Sequence, residues 1–499
     1  MLKFSLAFIP LGASLLLLRY FFDADIRNFI PAYDIDQYYY VREARTFAAA
    51  AFDGGYYGSN GLTAMIGRYG PHGLAYPLVY GGLASLLGGW RDWLAPALNL
   101  AFVTAALLCM AARLSLGRQG ALACLFVVFS PILIYLPLGY QEAPQCALAL
   151  ALAGPLAALV GAPKAKPAGK GLLLWTLAAI FAASLTRPTW AVLFPAAVFC
   201  AGQGRPRDAF WALGLGAGLL AAAYAAFSLT ASPWDVQAGV SLLASLLRGD
   251  PGPLLSRLGP NLASLLNFTD NRHHSLNLLV MLGGAGLAAL PALAGAGQAR
   301  RRLAGLHACN MLLPCLAYVT IYNGTGYQLT RLLSAHFLLS LALVLRTAPP
   351  GAARLAFGPV LAACLGLLPA SLGHYALFVR PAYDDYRGDG ARIAALAREI
   401  DPILRLGEAA GQPWRRTLGA MHDNVVVPAL AAPGAYGIQV YSPKGLLLPL
   451  RAGFVLLSPE EGAVAGRRTP LTPLLATPYG ILYRNDEAFG LTARPEAAP

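Results

Sequence analysis

Charged residues are scarce in this chain. Only 12% of its 499 residues are Asp, Glu, Lys or Arg, whereas 57% are hydrophobic. A soluble globular domain usually carries about 25% charged residues, so this composition excludes an ordinary soluble enzyme. Apolar runs of roughly 20 residues, each long enough to cross ~30 Å of hydrocarbon, recur along most of the length. The sequence therefore predicts a polytopic α-helical membrane protein.

Acidic residues are the scarcer of the two kinds of charge, with 24 Asp and Glu against 37 Lys and Arg. The resulting net charge of +13 does not indicate a nucleic-acid partner, because no basic stripe or aromatic ladder accompanies it. The basic residues gather instead in short turns between apolar runs, as they do in cytoplasmic loops. We therefore expect membrane lipids around the protein, and no nucleic acid.

Cysteine is also sparse, and the seven cysteines show neither the spacing of a metal site nor a disulfide framework. All lie in apolar runs, which predicts that they are small buried hydrophobic residues. The N-terminal stretch MLKFSLAFIPLGASLLLL lacks a clear cleavage site. We therefore expect an uncleaved first helix with Lys3 on the inner side.

Clusters of Lys and Arg predict which loops face the cytoplasm. These clusters span residues 113–118, 164–170, 205–207, 300–302 and 346–354. Placing them inside gives eleven crossings, near 4–22, 94–112, 119–137, 143–161, 171–186, 188–202, 208–231, 275–297, 303–322, 331–347 and 354–378. Residues 72–89 are apolar but short and interrupted by Pro77, so we interpret them as a re-entrant or interfacial helix.

Three long segments are then predicted outside, at 23–93, 232–274 and 379–499. In the last, the stretch DGARIAALAREIDPILRL has helical spacing, and RTLGAM, GIQVYS, FVLLS and GILYR are strand-like. We therefore predict a membrane domain over 1–378, with 23–93 as its first outer loop. A small α/β domain over 379–499 would follow on the outer, periplasmic face of the inner membrane.

The scarce charge is concentrated directly after the first span, in YDIDQYYYVREAR at 33–45. Asp34 and Asp36 precede three consecutive tyrosines at 38–40, which favour the headgroup layer and are rings on which sugars stack. The stretch VREARTFAAAAF continues as an amphipathic helix suited to the membrane interface. The two carboxylates would thereby lie at the depth of a lipid headgroup.

Several short motifs follow the first span in order, beginning with DQYY at 36–39 and HGLAYP at 72–77. Together with those further along the chain they resemble the GT-C superfamily, integral-membrane glycosyltransferases that use polyprenyl-phosphate sugars. DQYY stands where those enzymes have DE-x-YY, and HGLAYP stands in place of HPP-x-Y, with Gly73 instead of a proline. FSPILIYLPLGYQEA at 129–143, LTRPTW at 185–190 and Arg331 in YQLTRLL are similar to further family features. The most similar patterns are those of lipid A aminoarabinose transferases and protein O-mannosyltransferases. The WWD signature of oligosaccharyltransferases is absent, which argues against en bloc transfer to asparagine.

The resemblance implies transfer of one hexose or pentose from a polyprenyl-phosphate donor, with inversion, to a glycan, lipid or protein acceptor of the cell envelope. A carboxylate takes the proton of the acceptor hydroxyl in such a reaction, and Asp36 is the first candidate, with Asp34 the second. The leaving phosphate needs cations fixed in a water-poor site. Arg187, Arg331 and Arg272 are the candidates, because a guanidinium group meets phosphate oxygens bidentately.

The candidates for binding the rest of the substrate are Tyr38, Tyr39, His72, Tyr76, Glu142 and His273. Simpler roles stay open for several residues of the expected site. Arg187 and Arg331 could reach lipid headgroups, Glu142 could lie in solvent beyond a helix end, and His72 could cap the helix that follows it.

A metal cofactor is not expected. Adjacent histidines with one aspartate in NFTDNRHHSLN, at 267–277, form a poor metal cage. Asp34 and Asp36 could hold Mg²⁺ or Mn²⁺, which prefer oxygen ligands. The branches of the family that the sequence resembles do not need a metal, however, so we predict a metal-free enzyme.

Two other classes of membrane protein remain open. A polysaccharide polymerase or ligase also has many helices and large outer loops with arginines. A transporter of lipid-linked glycans is the second, although an inverted internal repeat is not visible and charged residues avoid the span centres. The identities of the sugar and the acceptor depend on side chains that a linear sequence does not assemble.

Overall fold

Helices account for most of the chain in its structure, a computed structural model. The structure describes residues 1–26, 35–53, 57–59, 69, 73–162, 169–202, 206–230, 242, 244–266, 279–280, 282–284, 286–287, 297–321, 327–405, 417–421, 437–441, 443, 445–489 and 491. The main helices among them are α1 (Leu2–Phe22), α2 (Ile35–Ala50), α3 (Pro77–Leu86), α4 (Leu94–Ala111), α5 (Leu116–Val128), α6 (Ser130–Leu133), α7 (Glu142–Gly161), α8 (Lys170–Thr186), α9 (Pro188–Ala201), α10 (Pro206–Thr230), α11 (Gly252–Leu266), α12 (Gln298–Ile321), α13 (Tyr327–Thr347), α14 (Pro350–Arg405) and α15 (Pro459–Ala465).

Seven of the described helices are long and apolar enough to cross a membrane: α1, α4, α7, α10, α12, α13 and α14. Four shorter apolar helices, α3, α5, α8 and α9, have between 10 and 17 residues. The predicted class, a polytopic α-helical membrane protein, is confirmed. The total of eleven crossings stays a prediction, as does the assignment of 72–89 to a re-entrant or interfacial helix.

The predicted span 119–137 is not one helix in the structure. Helix α5 ends at Val128, Phe129 has an extended backbone (φ −85°, ψ 92°), and α6 then begins with Pro131 in its first turn. A proline inside a helix removes a backbone hydrogen bond, whereas in the first turn it is tolerated. The chain therefore starts a new helix at Ser130 instead of continuing the old one.

Burial divides the candidate spans into central and peripheral helices. In α13, 83% of the apolar stretch is buried within the protein, and in α7 61%, whereas α1 and α14 bury only 28%. Helices that are apolar on all sides belong in a core or in lipid. Exposed side chains such as Leu16, Trp211 and Leu355 are consequently the ones that lipid tails would cover. Two cysteines, Cys109 and Cys124, are exposed as well, contrary to the expectation that all seven are buried.

Two buried or half-buried arginines hold helix C-termini at one end of the bundle. Arg302 donates from Nη1 to the carbonyl oxygen of Ala162 (2.7 Å) and from Nη2 to that of Gly202, directly after α7 and α9. Arg118 donates to the carbonyl oxygen of Ala348 (2.7 Å), just after α13. These carbonyls lack a partner within their own helices and carry partial negative charge. We call this the basic end of the bundle; which side of the membrane it faces stays a prediction.

The chain forms two compact units. Unit 1 comprises residues 1–29, 95–227 and 238–380, and unit 2 comprises residues 30–94, 228–237 and 381–499. Helix α14 is continuous through the last predicted span and the predicted helical stretch DGARIAALAREIDPILRL up to Arg405. The division into domains at 378 and 379 stays a prediction.

Unit 2 contains a mixed β-sheet. Its strands are β1 (Tyr57–Ser59), β2 (Thr417–Met421), β3 (Gly437–Tyr441), β4 (Phe454–Leu457), β5 (Leu471–Thr477) and β6 (Gly480–Asn485), in the order β1-β3-β2-β4-β6-β5. The pairs β1–β3, β3–β2 and β2–β4 are parallel, whereas β4–β6 and β6–β5 are antiparallel. The small C-terminal α/β part expected from the sequence is confirmed, and the strand-like runs lie in β2, β3, β4 and β6.

Two of the strands were not predicted. Strand β1 has only three residues and lies in the segment that the sequence places in the first outer loop. Strand β5 contains Pro473, where its pairing with β6 is irregular. Proline cannot donate to a neighbouring strand and is confined to edge strands, and β5 is indeed at an edge of the sheet.

Close packing in the sheet centre depends on one glycine. A Cβ atom added at Gly419 in β2 would lie 2.6 Å from Cε2 of Tyr441 and 2.8 Å from Cγ1 of Val455. Such contacts are far inside van der Waals distance, so only glycine fits between these two side chains. The Tyr441 ring from β3 can therefore cross the face of β2, where it is buried.

Candidate active site

Three charged side chains from different helices meet inside the apolar bundle of unit 1. Glu142 is the first residue of α7, Arg187 directly follows α8, and Arg331 lies near the start of α13. Oε1 of Glu142 is 3.1 Å from Nη2 of Arg187 and 2.9 Å from Nε of Arg331. Their side chains are 1%, 5% and 7% exposed. We call these three residues the Glu142 cluster.

The Glu142 cluster and the basic end lie at opposite ends of α7 and α13. Helix α7 has 20 residues, which corresponds to a length of ~30 Å. It begins at Glu142 and ends next to Ala162, which binds Arg302. Helix α13 runs the same way, with Arg331 near its start and the contact of Arg118 at its end.

The charges within the Glu142 cluster are not balanced. One carboxylate faces two guanidinium groups, which leaves a formal charge of +1. Oε2 of Glu142 is buried and has no hydrogen-bond partner among the described residues, and the same holds for Nε of Arg187. Removing an ion pair from water costs several kcal/mol per ion. This cost is offset only when the pair has good geometry and hydrogen bonds satisfy its remaining polar atoms. The cluster therefore places two guanidinium groups, suited to an anion, beside an acceptor oxygen, suited to a hydroxyl or an ammonium group.

The segment before α7 is held in place by a buried amide. Asn99 of α4 donates from Nδ2 to the carbonyl oxygens of Leu138 and of Tyr140, the latter at 3.3 Å. The ring of Tyr140 lies below Arg331, whose Cζ is 5.5 Å from the ring centroid. A cation above an aromatic face is stabilised by the ring quadrupole. Asn99 thus positions both the aromatic ring and the chain that leads into Glu142.

The turn that carries Arg187 is fixed by neighbouring helices. Arg187 has an extended backbone (φ −153°, ψ 115°), as expected before Pro188, and its Nη1 donates to the carbonyl oxygen of Leu332 at 3.2 Å. Gln145 of α7 donates from Nε2 to Thr186 Oγ1 at 3.0 Å, and its Oε1 accepts from the indole N–H of Trp190. The Arg187 turn, residues 186–190, is thereby attached to α7 and α13.

Three of the residues that the sequence singles out are therefore brought together: Glu142, Arg187 and Arg331. The sequence treats them as separate candidates, Glu142 for the substrate and the arginines for the donor phosphate. The structure shows a direct ion-pair cluster among them. Their roles in binding stay predictions.

Tyr76 lies in an aromatic cluster of unit 2. Its ring stacks on Tyr80, with centroids 3.9 Å apart and planes at 11°, and lies 5.1 Å from the ring of Tyr40. Only 4% of Tyr76 is exposed. Within this cluster its ring supports α2 and α3, and its predicted contact with substrate stays untested.

The side chains of the remaining candidates are not among those that the structure describes. Asp34, His72, Arg272 and His273 lie outside the described residues. Asp36, Tyr38 and Tyr39 belong to α2, but their side chains are not among those described. Helix α2 begins at Ile35, so DQYY lies in the first turns of a helix and not in the loop before it. Carboxylates are stabilised at a helix N-terminus.

A metal site is not visible in the described part of the chain. There, three or more His, Cys, Asp or Glu side chains do not gather closely enough to hold an ion. The side chains of Asp34 and Asp36 are outside that part. The expectation of a metal-free reaction therefore stays a prediction.

Sequence reasoning assigned no role to the polar side chains around the Arg187 turn, although Thr189 and Trp190 belong to the LTRPTW motif. Besides Gln145 and Trp190 these are Thr189, His336 and Asn310, all within or next to predicted spans. Polar residues within a span are rare and commonly functional. Histidine in RLLSAHFLLSLALVLRT was the available signal, but its partners come from other helices.

Comparison with known proteins gives structural likenesses only. No protein-family profile matches the chain, and no curated protein matches it either. The crystal structure of ArnT from Cupriavidus metallidurans in the apo state matches with 13% identity and a TM-score of 0.46, covering 97% of this chain and 98% of that one. An Archaeoglobus fulgidus oligosaccharyltransferase matches with 11% identity and a TM-score of 0.46, covering 96% and 73%. A likeness at these TM-scores assigns no activity to the chain.

Proposed function

We propose that the protein is a membrane glycosyltransferase of the GT-C type. It moves a single hexose or pentose from a polyprenyl-phosphate donor to an acceptor hydroxyl at the outer face of the cytoplasmic membrane. The observation that carries the proposal is the Glu142 cluster, in which two guanidinium groups share one buried carboxylate at one end of an apolar bundle. The order of the GT-C-like motifs along the sequence supports it.

The two arginines of the Glu142 cluster bind the donor phosphate in this proposal. A sugar phosphodiester carries one negative charge, and the departing polyprenyl phosphate carries up to two. Arg187 and Arg331 place two guanidinium groups at one carboxylate, and their positive charge favours the growth of negative charge as the leaving group departs. Fixed cations in a water-poor site stabilise such a transition state most effectively.

Glu142 has a different task, because it holds two like charges close together. Two unit charges about 6 Å apart repel by ~3 kcal/mol at an effective dielectric constant of 20. The shared oxygen of Glu142 offsets that repulsion and orients both guanidinium groups. Its second oxygen, buried and without a described partner, is suited to accept from a sugar hydroxyl or amino group.

The transfer itself is a single displacement. The acceptor oxygen forms a bond to the anomeric carbon while the bond from that carbon to the phosphate oxygen breaks, which inverts the anomeric configuration. Asp36 takes the proton of the acceptor hydroxyl, with Asp34 as the second candidate for this task. The proton thus ends on a carboxylate and the electron pair on the polyprenyl phosphate.

The test is transfer by an Asp36→Asn variant. Purified protein in lipid nanodiscs receives radiolabelled polyprenyl-phosphate sugars together with an envelope extract as the source of acceptor. Loss of the base is expected to slow transfer by about 10²- to 10⁴-fold. The matched control is Asp23→Asn, because Asp23 is 70% exposed and pairs with the exposed Arg19. Wild-type rates in Asp36→Asn would refute its role as base.

The size of the product separates this proposal from its alternatives. A single-sugar transferase adds one labelled residue to each acceptor, whereas a polymerase or ligase adds a chain. A transporter would move the labelled lipid across a proteoliposome membrane and form no glycosylated product. Either of these two results would replace the proposal.

A further inference from the structure

Buried polar side chains continue from the Arg187 turn into the middle of the bundle. Thr189 Oγ1 is 2.9 Å from His336 Nε2, and His336 Nδ1 is 2.9 Å from Asn310 Oδ1. Asn310 Nδ2 donates to Ser340 Oγ at 2.9 Å, and Ser340 Oγ is 3.0 Å from His307 Nδ1. All but Thr189 are fully buried. We call these five residues the His336 network.

The direction of the bonds next to Arg187 follows from one backbone contact. Asn310 Nδ2 also donates to the carbonyl oxygen of His336 at 2.6 Å, and a carbonyl can only accept. The amide oxygen of Asn310 therefore faces His336 Nδ1, which must carry a proton. In a neutral imidazole the other nitrogen, Nε2, then accepts, so Thr189 donates its hydroxyl proton to His336.

The network continues to a second histidine. Ser340 Oγ accepts from Asn310 and lies 3.0 Å from Nδ1 of His307. Nε2 of His307 is buried and has no hydrogen-bond partner among the described residues, so the network ends there. From Thr189 to Asn310 every polar group has a partner and a defined orientation. Polar networks that are satisfied in this way specify one arrangement of the surrounding helices.

The network is attached to the proposed phosphate site through the Arg187 turn. Thr189 is two residues after Arg187, and the Trp190 ring lies against the His336 ring, with centroids 4.3 Å apart. The turn is thus held on one side by Gln145 of α7, the helix of Glu142. On its other side it is held by His336 of α13, the helix of Arg331.

We infer that Thr189 and His336 are positioning residues that fix where Arg187 presents its guanidinium group. The inference rests on the proposed function, in which Arg187 binds the donor phosphate. An apolar residue at 336 would suit the middle of a span better than an imidazole, since polar groups there are expensive. The hydrogen bond to Thr189 ties the Arg187 turn to the helix that supplies the second arginine. A small displacement of a positioned group weakens its interaction disproportionately.

The experiment measures binding of undecaprenyl phosphate to the purified full-length protein in detergent micelles. Thr189→Val keeps the shape of the side chain and removes its hydroxyl group. We expect about tenfold weaker binding, because the turn loses its bond and His336 Nε2 loses its donor. Thr189→Ser restores the hydroxyl group and should return the dissociation constant to within about twofold of the wild-type value.

The control variant is Thr176→Val. Thr176 is a buried threonine of α8 whose hydroxyl donates to the carbonyl oxygen of Leu172 (2.7 Å) within the same helix. The Thr176→Val variant therefore reports the general effect of replacing a buried threonine. Its dissociation constant for undecaprenyl phosphate should equal that of the wild type. Melting temperatures of all variants are recorded, so that binding is compared among folded proteins.

Two arginine variants separate failure of the inference from failure of the proposed function. In Arg187→Gln and Arg331→Gln, Glu142 keeps one partner, so the bundle retains a paired carboxylate. If neither variant binds undecaprenyl phosphate more weakly, the proposed phosphate site is wrong. If both bind more weakly but Thr189→Val binds like the wild type, the inference is overturned while the proposed function stands. Equal loss in Thr189→Val and Thr189→Ser also overturns it, since the hydroxyl group would then be irrelevant.

Discussion

The two ends of the bundle in unit 1 use buried or half-buried arginines in different ways. At the basic end, Arg302 and Arg118 bind backbone carbonyls that terminate α7, α9 and α13. In the Glu142 cluster, Arg187 and Arg331 share a carboxylate instead. The last carbonyls of a helix have no partner within it, so the arginines of the basic end serve to satisfy them, which is a purely architectural role. This explanation does not apply to Glu142.

The carboxylate is therefore the informative difference between the two ends. Each end has an arginine whose Nε atom lacks a described hydrogen-bond partner, Arg302 at the basic end and Arg187 in the Glu142 cluster. This feature therefore does not distinguish the two ends. A buried ion pair is often no more stable than apolar side chains of the same volume. Three buried charges at one end, with an acceptor on Glu142 Oε2 that no described residue contacts by a hydrogen bond, thus favour a binding role over a structural one.

The largest expected effect comes from removing a cation of the Glu142 cluster. Arg331→Gln should slow sugar transfer by about 10²- to 10³-fold, because one fixed charge that faces the leaving phosphate is lost. Initial rates in nanodiscs, normalised to folded protein, measure this. The matched variant at the basic end is Arg118→Gln, which should transfer at the wild-type rate. An equal loss of transfer rate in Arg331→Gln and Arg118→Gln would show that the two ends do not differ in their contribution to transfer.

A smaller effect, on stability, is expected for Glu142→Gln. The neutral amide removes the carboxylate that both buried guanidinium groups contact, which should lower the free energy of unfolding by about 3 kcal/mol. Thermal or denaturant unfolding in detergent measures the change. Adding Arg187→Gln to this variant should recover part of the loss, because one of the two repelling charges is then gone. A double variant less stable than the sum of the single changes would contradict the shared-carboxylate description.

The smallest of the three effects belongs to the basic end. Arg302→Gln should lower the free energy of unfolding by about 2 kcal/mol, since charge-assisted hydrogen bonds to two helix C-termini are lost. Binding of undecaprenyl phosphate by the folded fraction should not change, because Arg302 lies ~30 Å from the Glu142 cluster. A dissociation constant that rises in this variant would mean that the basic end also contributes to binding.

Sequence analysis predicts the membrane part of the fold because hydropathy is a local property. An apolar run of sufficient length predicts a span whatever surrounds it. The prediction fails at Phe129, where a proline two residues later starts a new helix. It also omits β1, which at three residues has no periodicity of its own and is defined only by its partner β3.

The candidate site was only partly predictable. Glu142, Arg187 and Arg331 stand out because charged residues are rare beside apolar runs. Their distances from one another could not be inferred, since residues 142 and 331 are far apart in the chain. His336 and Asn310 were overlooked because each is an isolated polar residue in its own span, and only the packing of α12 against α13 makes them partners.

The amino-acid sequence alone determined that the chain belongs in a membrane and which residues carry the rare charges, because transfer free energies add up residue by residue along a helix. The tertiary structure decided that one carboxylate pairs with two arginines and that a histidine within a span binds the turn of Arg187. Such contacts join helix ends and faces that are distant in the chain, and their geometry depends on how the helices pack. Pairwise distances of that kind are a property of the folded bundle and of no single segment.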